Sequence, residues 1–578
     1  MTRINGTPPP PLPPAVTTPP ASGRDGRSSR PGTGEAADRP GTDRPGTGST
    51  GHPGPSGPAA TGGRAGHAAA GAAGLVSAAL ALGAGELVAG LGSSLRSPVE
   101  AVATEVIDRA PRPVERFAIE TFGTNDKLAL IVGTLAITAV LGVVFGIVAR
   151  RRPLAGTAGF AFFALLAVLA SVGAPGADAL AALPSLAAGV AGAATLHLLV
   201  PRAGAPVALP PSPLTRGGMG SRRAFLGATA AVAAGAAMMA AGGRALKGRF
   251  SAAESRADVT LPRPARPLPP VPAGVEAGVD GIAPFVTANR DFYRIDTALI
   301  VPQVRAEDWT LRVTGMVDRP FELTYGELSE LDVVEADITM TCVSNPVGGD
   351  LVGHARWLGV LTRDLLDRAG VRRRADQVVG RSVDGYTCGF PLAAAYDRPA
   401  LVAIGMNGEP LPLRHGFPAR LVTPGIYGYV GATKWLTEIE VTTFAAFDQY
   451  WVPRGYAAEA PIKTMTRIDT PRSFETVPAG RVVVGGVAWA QTRGIEAVEI
   501  SIDGGEFEPV RLADELTAES WRQWRYEWDA TPGRHDLVVR AVDGSGVTQT
   551  EERAEVVPDG ASGWMSLVVT VSDGEAAT

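Results

Sequence analysis

Four apolar stretches, Ala68–Leu91, Leu128–Ala149, Leu154–Ala174 and Ala179–Val200, are each long enough to cross a bilayer, which takes about 20 residues. A chain built this way cannot close into one water-soluble globule. The rest of the sequence divides sharply around them. All nine Trp and all nine Tyr lie beyond residue 290, so the large aromatic side chains that fill a soluble core are confined to the second half. Residues 1–66 hold 14 Pro and 14 Gly with no Phe, Trp or Tyr, which predicts a disordered tail. The fold class expected is therefore multi-domain: a disordered tail, an α-helical membrane domain, and a folded aromatic-rich region.

Charge predicts the orientation. Arg150, Arg151 and Arg152 follow the second stretch, and Arg202, Arg216, Arg222 and Arg223 follow the fourth; both clusters belong in the cytoplasm by the positive-inside rule. The tail is then cytoplasmic as well, and the loop Gly92–Asp126, whose four Arg are offset by six acids, lies outside. A fifth apolar segment, Ala224–Gly242, follows Ser221-Arg222-Arg223-Ala224-Phe225-Leu226, the pattern of a twin-arginine export signal. Such a signal would make a fifth membrane helix and carry everything after residue 245 across the membrane. Glu86 in the first helix either has a function or simply reaches water near the helix end. Pro184 is expected to kink the fourth helix. Of six His only His197 lies well inside a membrane stretch, so a transmembrane haem with two His ligands is not expected.

The boundaries predicted are a tail over 1–66, a four-helix membrane domain over 67–203, the signal and fifth helix over 221–245, a Pro-rich linker over 246–284, a catalytic domain over 285–445 and a β-sandwich over 446–578. The sandwich rests on alternating or β-branched runs at Val482–Val487, Ala497–Ile502, His535–Val542 and Ser566–Val571, with turns at Asp503-Gly504-Gly505 and Asp543-Gly544. Trp521, Trp524, Tyr526 and Trp528 suit its core and interface better than a base-stacking platform. In the preceding region Trp309–Met316 alternates like a strand and Leu358–Ala369 has helical spacing.

Chemistry concentrates between 285 and 445. Ile338, Met340 and Cys342 share one strand face by period-2 alternation, and the strand breaks at Pro346 and Gly348-Gly349. Cys342 is either a thiol presented at a strand end or a small core residue. Residues 406–435 carry His415, Arg420 and Lys434 among Gly and Pro turns, which suits a phosphate-bearing anion or, equally, an ordinary surface loop. Two cysteines exclude a disulfide-rich scaffold and a Cys-based zinc or iron–sulfur site. No phosphate-loop or dinucleotide fingerprint is present, and no large basic face suggests nucleic acid, so neither partner is expected.

Several ordered strings over some 150 residues resemble the molybdopterin-binding domain of the sulfite oxidase family, in a membrane-anchored bacterial form. They are T-C-V-S-N at 341–345, A-R-W-L-G-V at 355–360, D-G-Y-T-C-G-F-P-L at 384–392, M-N-G-E-P-L-P at 406–412, H-G-F-P-A-R at 415–420 and K-W-L at 434–436. The resemblance implies an α+β cofactor domain followed by an immunoglobulin-like dimerisation domain, hence a homodimer, and a molybdenum cofactor without haem. It implies Cys342 as the molybdenum ligand. Phe292, Tyr293, Arg294, Asn345, Asp384, His415, Arg420, Thr433 and Lys434 would hold the pterin and its phosphate, with Arg294 and Arg454 as pocket arginines. Cys388 matches no ligand position and is read as packing.

Departures from the family pattern bear on substrate. Pro346 and Val347 stand where sulfite oxidases carry an arginine, Ile404 where they carry a tyrosine, and Ile295-Asp296 where Asn-His is usual. The activity implied is two-electron oxygen-atom transfer on a small oxoanion such as sulfite, or in the other direction on an S- or N-oxide. Electrons would pass to a separate carrier, a quinone or cytochrome. A non-catalytic pterin-binding or sensing membrane protein is the alternative.

Overall fold

A computed structural model describes residues 61–122, 125–174, 177–203 and 220–573. The expected tail over 1–66 lies almost wholly outside these residues, as does Arg216.

Among the described residues five helices are long and apolar enough to cross a membrane: α1 (Thr61–Ala89), α4 (Asp126–Ala149), α5 (Pro153–Val172), α6 (Leu183–Ala203) and α7 (Gly220–Gly248), with α2 (Pro98–Arg109) and α3 (Arg112–Phe122) between α1 and α4. Helix α1 packs against α4, α6 and α7. The α1–α4 crossing is close because Gly74 and Gly146 meet backbone to backbone: a Cβ on Gly74 would lie 2.0 Å from the Gly142 carbonyl, and one on Gly146 2.1 Å from that of Ala70. Small residues at such crossings are what lets apolar helices associate in lipid. Pro184 is the second residue of α6, after a single 3₁₀ turn over Ala179–Ala182. Proline costs little in a helix's first turn, where its missing N–H has no helical partner, so Pro184 stands at the start of α6, where the 3₁₀ turn gives way to the α-helix.

The segment after α1 is folded rather than looped. Ser97 caps α2 by accepting from the Glu100 amide at 3.2 Å, with Pro98 at the first helical position. Lys247 at the end of α7 donates to the Leu95 carbonyl at 2.7 Å, so this segment, the start of α4 and the end of α7 share one end of the bundle. At the other end, Arg150 contacts His67 at 3.3 Å.

Two sheets build the next domain. One has strand order β2-β1-β11-β5-β6, where β1 is Thr310–Gly315, β2 Phe321–Thr324, β5 Gln377–Ser382, β6 Thr387–Pro391 and β11 Leu436–Thr442. The other has order β10-β9-β7-β4-β3, where β3 is Val333–Thr341, β4 Val352–Leu361, β7 Leu401–Met406, β9 Arg420–Val422 and β10 Ala432–Thr433; the two-residue β8, Glu409–Pro410, pairs with β7. The helix expected over Leu358–Ala369 begins only at Thr362, because residues 358–361 finish β4. Leu358 and Val360 are buried on one sheet face and Trp357 on the other, so burial on both faces hides the strand period. Ile338 and Met340 do share a face, packing with Phe292, Trp357 and Phe417.

Residues 465–572 form two further sheets. One joins Met465–Thr470, Gly480–Trp489, Arg522–Ala530 and Arg511–Leu512; the other joins Thr476–Pro478, Met565–Ser572, Gly533–Asp543, Ile495–Ile502 and Glu508–Pro509. Val484, Trp524 and Trp528 of the first pack on Val498, Ile500, Leu537 and Val569 of the second. Trp521 instead enters the core of the preceding domain and donates from Nε1 to the Phe285 carbonyl at 2.8 Å. The Pro-rich stretch lies along both domains: Ala265 donates to the Val333 carbonyl, Leu268 to Glu335 and Ala277 to Gln523.

This second domain also closes an exposed edge. Strand β3 pairs with β4 alone, and unpaired edge groups need another partner. The Thr339 amide donates to the Glu519 carbonyl, Gln491 donates to the Thr339 carbonyl at 2.9 Å, and the Trp521 amide donates to Thr339 Oγ1 at 2.7 Å. The strand leading to Cys342 is thereby held on both sides.

Candidate cofactor site

Cys342 is the first residue past β3 and is buried, its amide donating to the Leu351 carbonyl. Asn345 accepts from the Leu351 amide at 2.8 Å and closes the turn that follows. Burial pushes the Cys342 thiol up, against hydrogen bonding from Ser344 and the charge of Lys434. A thiolate here therefore needs a cation, and a coordinating metal supplies one. Burial also raises the phenols of Tyr293 and Tyr386, both within electrostatic reach of the Cys342 sulfur.

Four segments converge beside this sulfur. His415 ends a 3₁₀ turn and Arg420 opens β9; both are buried. Gly416 between them adopts φ +109°, and a Cβ there would lie 3.0 Å from Cα and Cβ of Lys434. Glycine at this position lets the His415 turn lie against the Lys434 backbone. Arg420 donates to the His415 carbonyl at 3.1 Å, and its guanidinium sits 5.0 Å from the centre of the Trp357 ring. Phe292 stacks on Tyr293 with ring centres 5.2 Å apart and meets Trp357 and His415 edge-on. Thr433, fully buried on β10, donates to the Gly380 carbonyl at 3.3 Å.

Asp296 ties the cations together. Its Oδ2 accepts from Arg294 Nε at 2.8 Å and Lys434 Nζ at 2.9 Å, and its Oδ1 accepts from Lys127 Nζ at 2.9 Å. Burial alone would raise its carboxyl; Lys434, Arg294 and Lys127 reverse that and hold it well below the usual carboxylate range. Burial draws Lys434 down to about 8, opposed by Asp296, and Arg420 down to about 10. Asp384, half-buried, accepts from the Tyr386 amide at 3.1 Å and is pushed up by burial, with the Asp296 charge adding to the rise.

The structure therefore brings Phe292, Tyr293, Arg294, Cys342, His415, Arg420 and Lys434 together, with Asp384 within electrostatic reach. Arg454 is engaged elsewhere: it donates to the Tyr450 carbonyl at 2.7 Å and the Asp108 carbonyl of α2 at 3.1 Å, its guanidinium over the Tyr450 ring. Cys388 is fully buried in the apolar core, its thiol raised to about 11 by burial. Sequence reasoning missed Trp357 beneath Arg420, although it lies within the A-R-W string. Asp296 stood only as a departure from the family pattern. No sequence signal connects Lys127 to the site, since it lies 169 residues from Asp296.

Burial also keeps two histidines neutral. His415 is pulled down to about 3 by burial, with Arg420 and Lys434 adding to it, and His354 to about 4, chiefly by burial. Their folded values lie below the unfolded value of about 6.5, so the unfolded chain takes protons first as pH falls. The stability they contribute is present above about pH 6.5 and shrinks on acidification, by up to about 1.4 kcal/mol per pH unit for each group. Asp296 adds nothing in this window, because its contribution is lost only below about pH 3.9. His535, which burial would lower but its hydrogen bond to Asp503 raises, acts in the opposite sense, so the test uses a His535→Gln background. Denaturant unfolding of that detergent-solubilised protein should give a lower midpoint at about pH 5 than at about pH 7; equal midpoints would contradict neutral buried histidines.

Residues 298–451 match the oxidoreductase molybdopterin binding domain family. The uncharacterized oxidoreductase YuiH of Bacillus subtilis is 34% identical over 148 residues, 26% of this chain and 72% of that protein. Mitochondrial sulfite oxidase of Homo sapiens is 28% identical over 309 residues, 45% of this chain. This chain spans 56% of the human protein, little more than half its length. The solved structure of the sulfane dehydrogenase SoxCD from Paracoccus pantotrophus is similar over 52% of this chain and 85% of that one, at 20% identity and a TM-score of 0.45. The chain belongs to the sulfite oxidase family of molybdopterin-dependent oxidoreductases, whose cofactor is a molybdenum–pterin complex.

The residues present fit that group. Arg420 Nε and His415 Nδ1 are buried and have no hydrogen-bond partner among the described residues. Buried polar atoms are rarely left unpaired, and the Arg420 Nε–H is a charged donor of the kind a phosphate oxygen takes, while His415, whose Nε2 donates to the Asn289 carbonyl, offers Nδ1 as an acceptor.

Proposed function

We propose that this chain is a membrane-anchored oxidoreductase whose cofactor domain faces the extracytoplasmic side and transfers oxygen atoms in two-electron steps. The observation that carries the reading is the buried cluster of Arg420, His415 and Lys434, in which the Arg420 Nε donor has no partner among the described residues, within electrostatic reach of the Cys342 thiol. Cys342 would bind the metal; Arg420, His415, Lys434 and Arg294 would hold the pterin phosphate, with Phe292, Tyr293, Asn345, Asp384 and Thr433 shaping the pterin pocket. When bound, the molybdenum centre supplies two-electron redox chemistry with oxo transfer. The protein binds and orients the cofactor, excludes water through burial, and sets the local charge.

The substrate reading is a small oxoanion such as sulfite, with electrons leaving to a separate quinone or cytochrome. A reductase of S- or N-oxides is the second reading, favoured by the fully buried Ile404 and the apolar Val347 at positions where a sulfite pocket carries a phenol and a cation. Dye reduction driven by sulfite supports the first; oxidation of a reduced dye driven by a sulfoxide supports the second. Arg454 would reach the pocket only by leaving Asp108 and Tyr450. The two-sheet C-terminal region is read as an immunoglobulin-like dimerisation domain.

Topology follows from the charges. The cofactor domain meets the bundle at the end holding α2 and the start of α4, remote from Arg150 and His67. Arginines at the opposite end support a cofactor domain on the outside, which accords with twin-arginine export by Ser221–Leu226. A reporter fused after residue 250 should be active only outside the cytoplasm and fall silent in Arg222→Lys/Arg223→Lys. Activity unaffected by that double substitution would overturn the twin-arginine route.

A further inference from the structure

The first turn of membrane helix α4 reaches into the cofactor site. Lys127 uses all three of its ammonium donors on one short segment: the Asp296 carbonyl at 2.9 Å, Asp296 Oδ1 at 2.9 Å and the Ala298 carbonyl at 2.6 Å. The same carboxylate binds Arg294 and Lys434, and its side chain is only 7% exposed. A second contact ties the two domains together nearby, where Tyr450 donates to Asp108 of α2 at 2.9 Å.

An acid inside an anion-binding cluster presents a problem that Lys127 solves. Asp296 competes with any bound anion for Arg294 and Lys434 and repels it directly. Like charges at a desolvated site cost far more than at a surface. With Lys127 bound to Oδ1, the carboxylate is shared among three cations, and the backbone of 296–298 is fixed by the two carbonyl contacts. Resting on the reading of this site as one for an anionic pterin cofactor, we propose that Lys127 is a positioning residue of that site. It neutralises Asp296 so that the cationic cluster can retain the cofactor. The membrane domain is then a structural part of the cofactor site, not only its anchor.

The test uses the full-length chain in detergent, with molybdenum and pterin measured per chain after gel filtration and after timed dialysis. Lys127→Met should retain the cofactor roughly ten- to a hundredfold less well than the native chain, the range seen when groups supporting a metal site are removed. Lys127→Arg should restore retention. Lys127→Met/Asp296→Asn, which keeps the methionine but removes the acid, should restore it to within about twofold, because coupled neighbours are not additive. Native retention in Lys127→Met would overturn the proposal. So would a loss that persists in the double variant, since that would assign Lys127 a purely structural part. A native chain that holds neither molybdenum nor pterin would overturn the underlying reading of the site and this proposal with it.

Discussion

Replacing Cys342 with serine is expected to leave the fold intact and to abolish the molybdenum chemistry. The sulfur follows a strand hydrogen-bonded to β4 on one side and to Gln491, Glu519 and Trp521 on the other, so one atom's change leaves that support in place. A hydroxyl is a far poorer soft donor than a thiolate. Losing groups that merely support a metal site costs about ten- to a hundredfold, so losing a direct ligand should lower turnover by more than about a hundredfold. Turnover of the purified variant with either substrate class, alongside its unfolding midpoint, separates the two effects. Activity within a few fold of the native chain would remove Cys342 from the centre.

Arg420→Met should produce opposite signs in two measurements. The guanidinium is 3% exposed, its Nε lacks a partner, and burial has already drawn its pKa down to about 10. A buried charge so incompletely satisfied destabilises the cofactor-free fold, and apolar replacements of buried ionic groups are often neutral or stabilising by about 1–4 kcal/mol. The cofactor-free variant should thus unfold at an equal or higher denaturant midpoint than the cofactor-free parent. Cofactor retention should fall by at least about tenfold, because removing one charged partner from a buried contact costs about 2–5 kcal/mol. A variant that loses stability and keeps its cofactor would reverse the account of this residue.

The sequence made some layers of this molecule readable and hid others. The long apolar helices were legible because about 20 apolar residues in a row have few other uses. The strand before Cys342 was legible in its alternation, Ile338 and Met340 packing on one face as read, whereas Cys342, read as the third residue of that face, falls just past the strand's end. Strand β4 was not, since Trp357 and Leu358 are buried on opposite faces and an uninterrupted apolar run carries no period. Within the site, His415, Arg420 and Lys434 stand close in sequence and were visible as a cluster. The partners that set their electrostatics were not. Trp357 reaches Arg420 across the sheet, and Lys127 reaches Asp296 from the long apolar helix α4. Such pairings are made by topology, which composition and local spacing do not encode.

This buried cluster of cations and one thiol is proposed to hold a molybdenum–pterin cofactor. Elemental and pterin analysis of the full-length chain, purified from a host that makes and exports the cofactor, tests it most directly. About one molybdenum and one pterin per chain are expected, as one site per domain requires. Purified, folded protein from such a host with neither molybdenum nor pterin would contradict it.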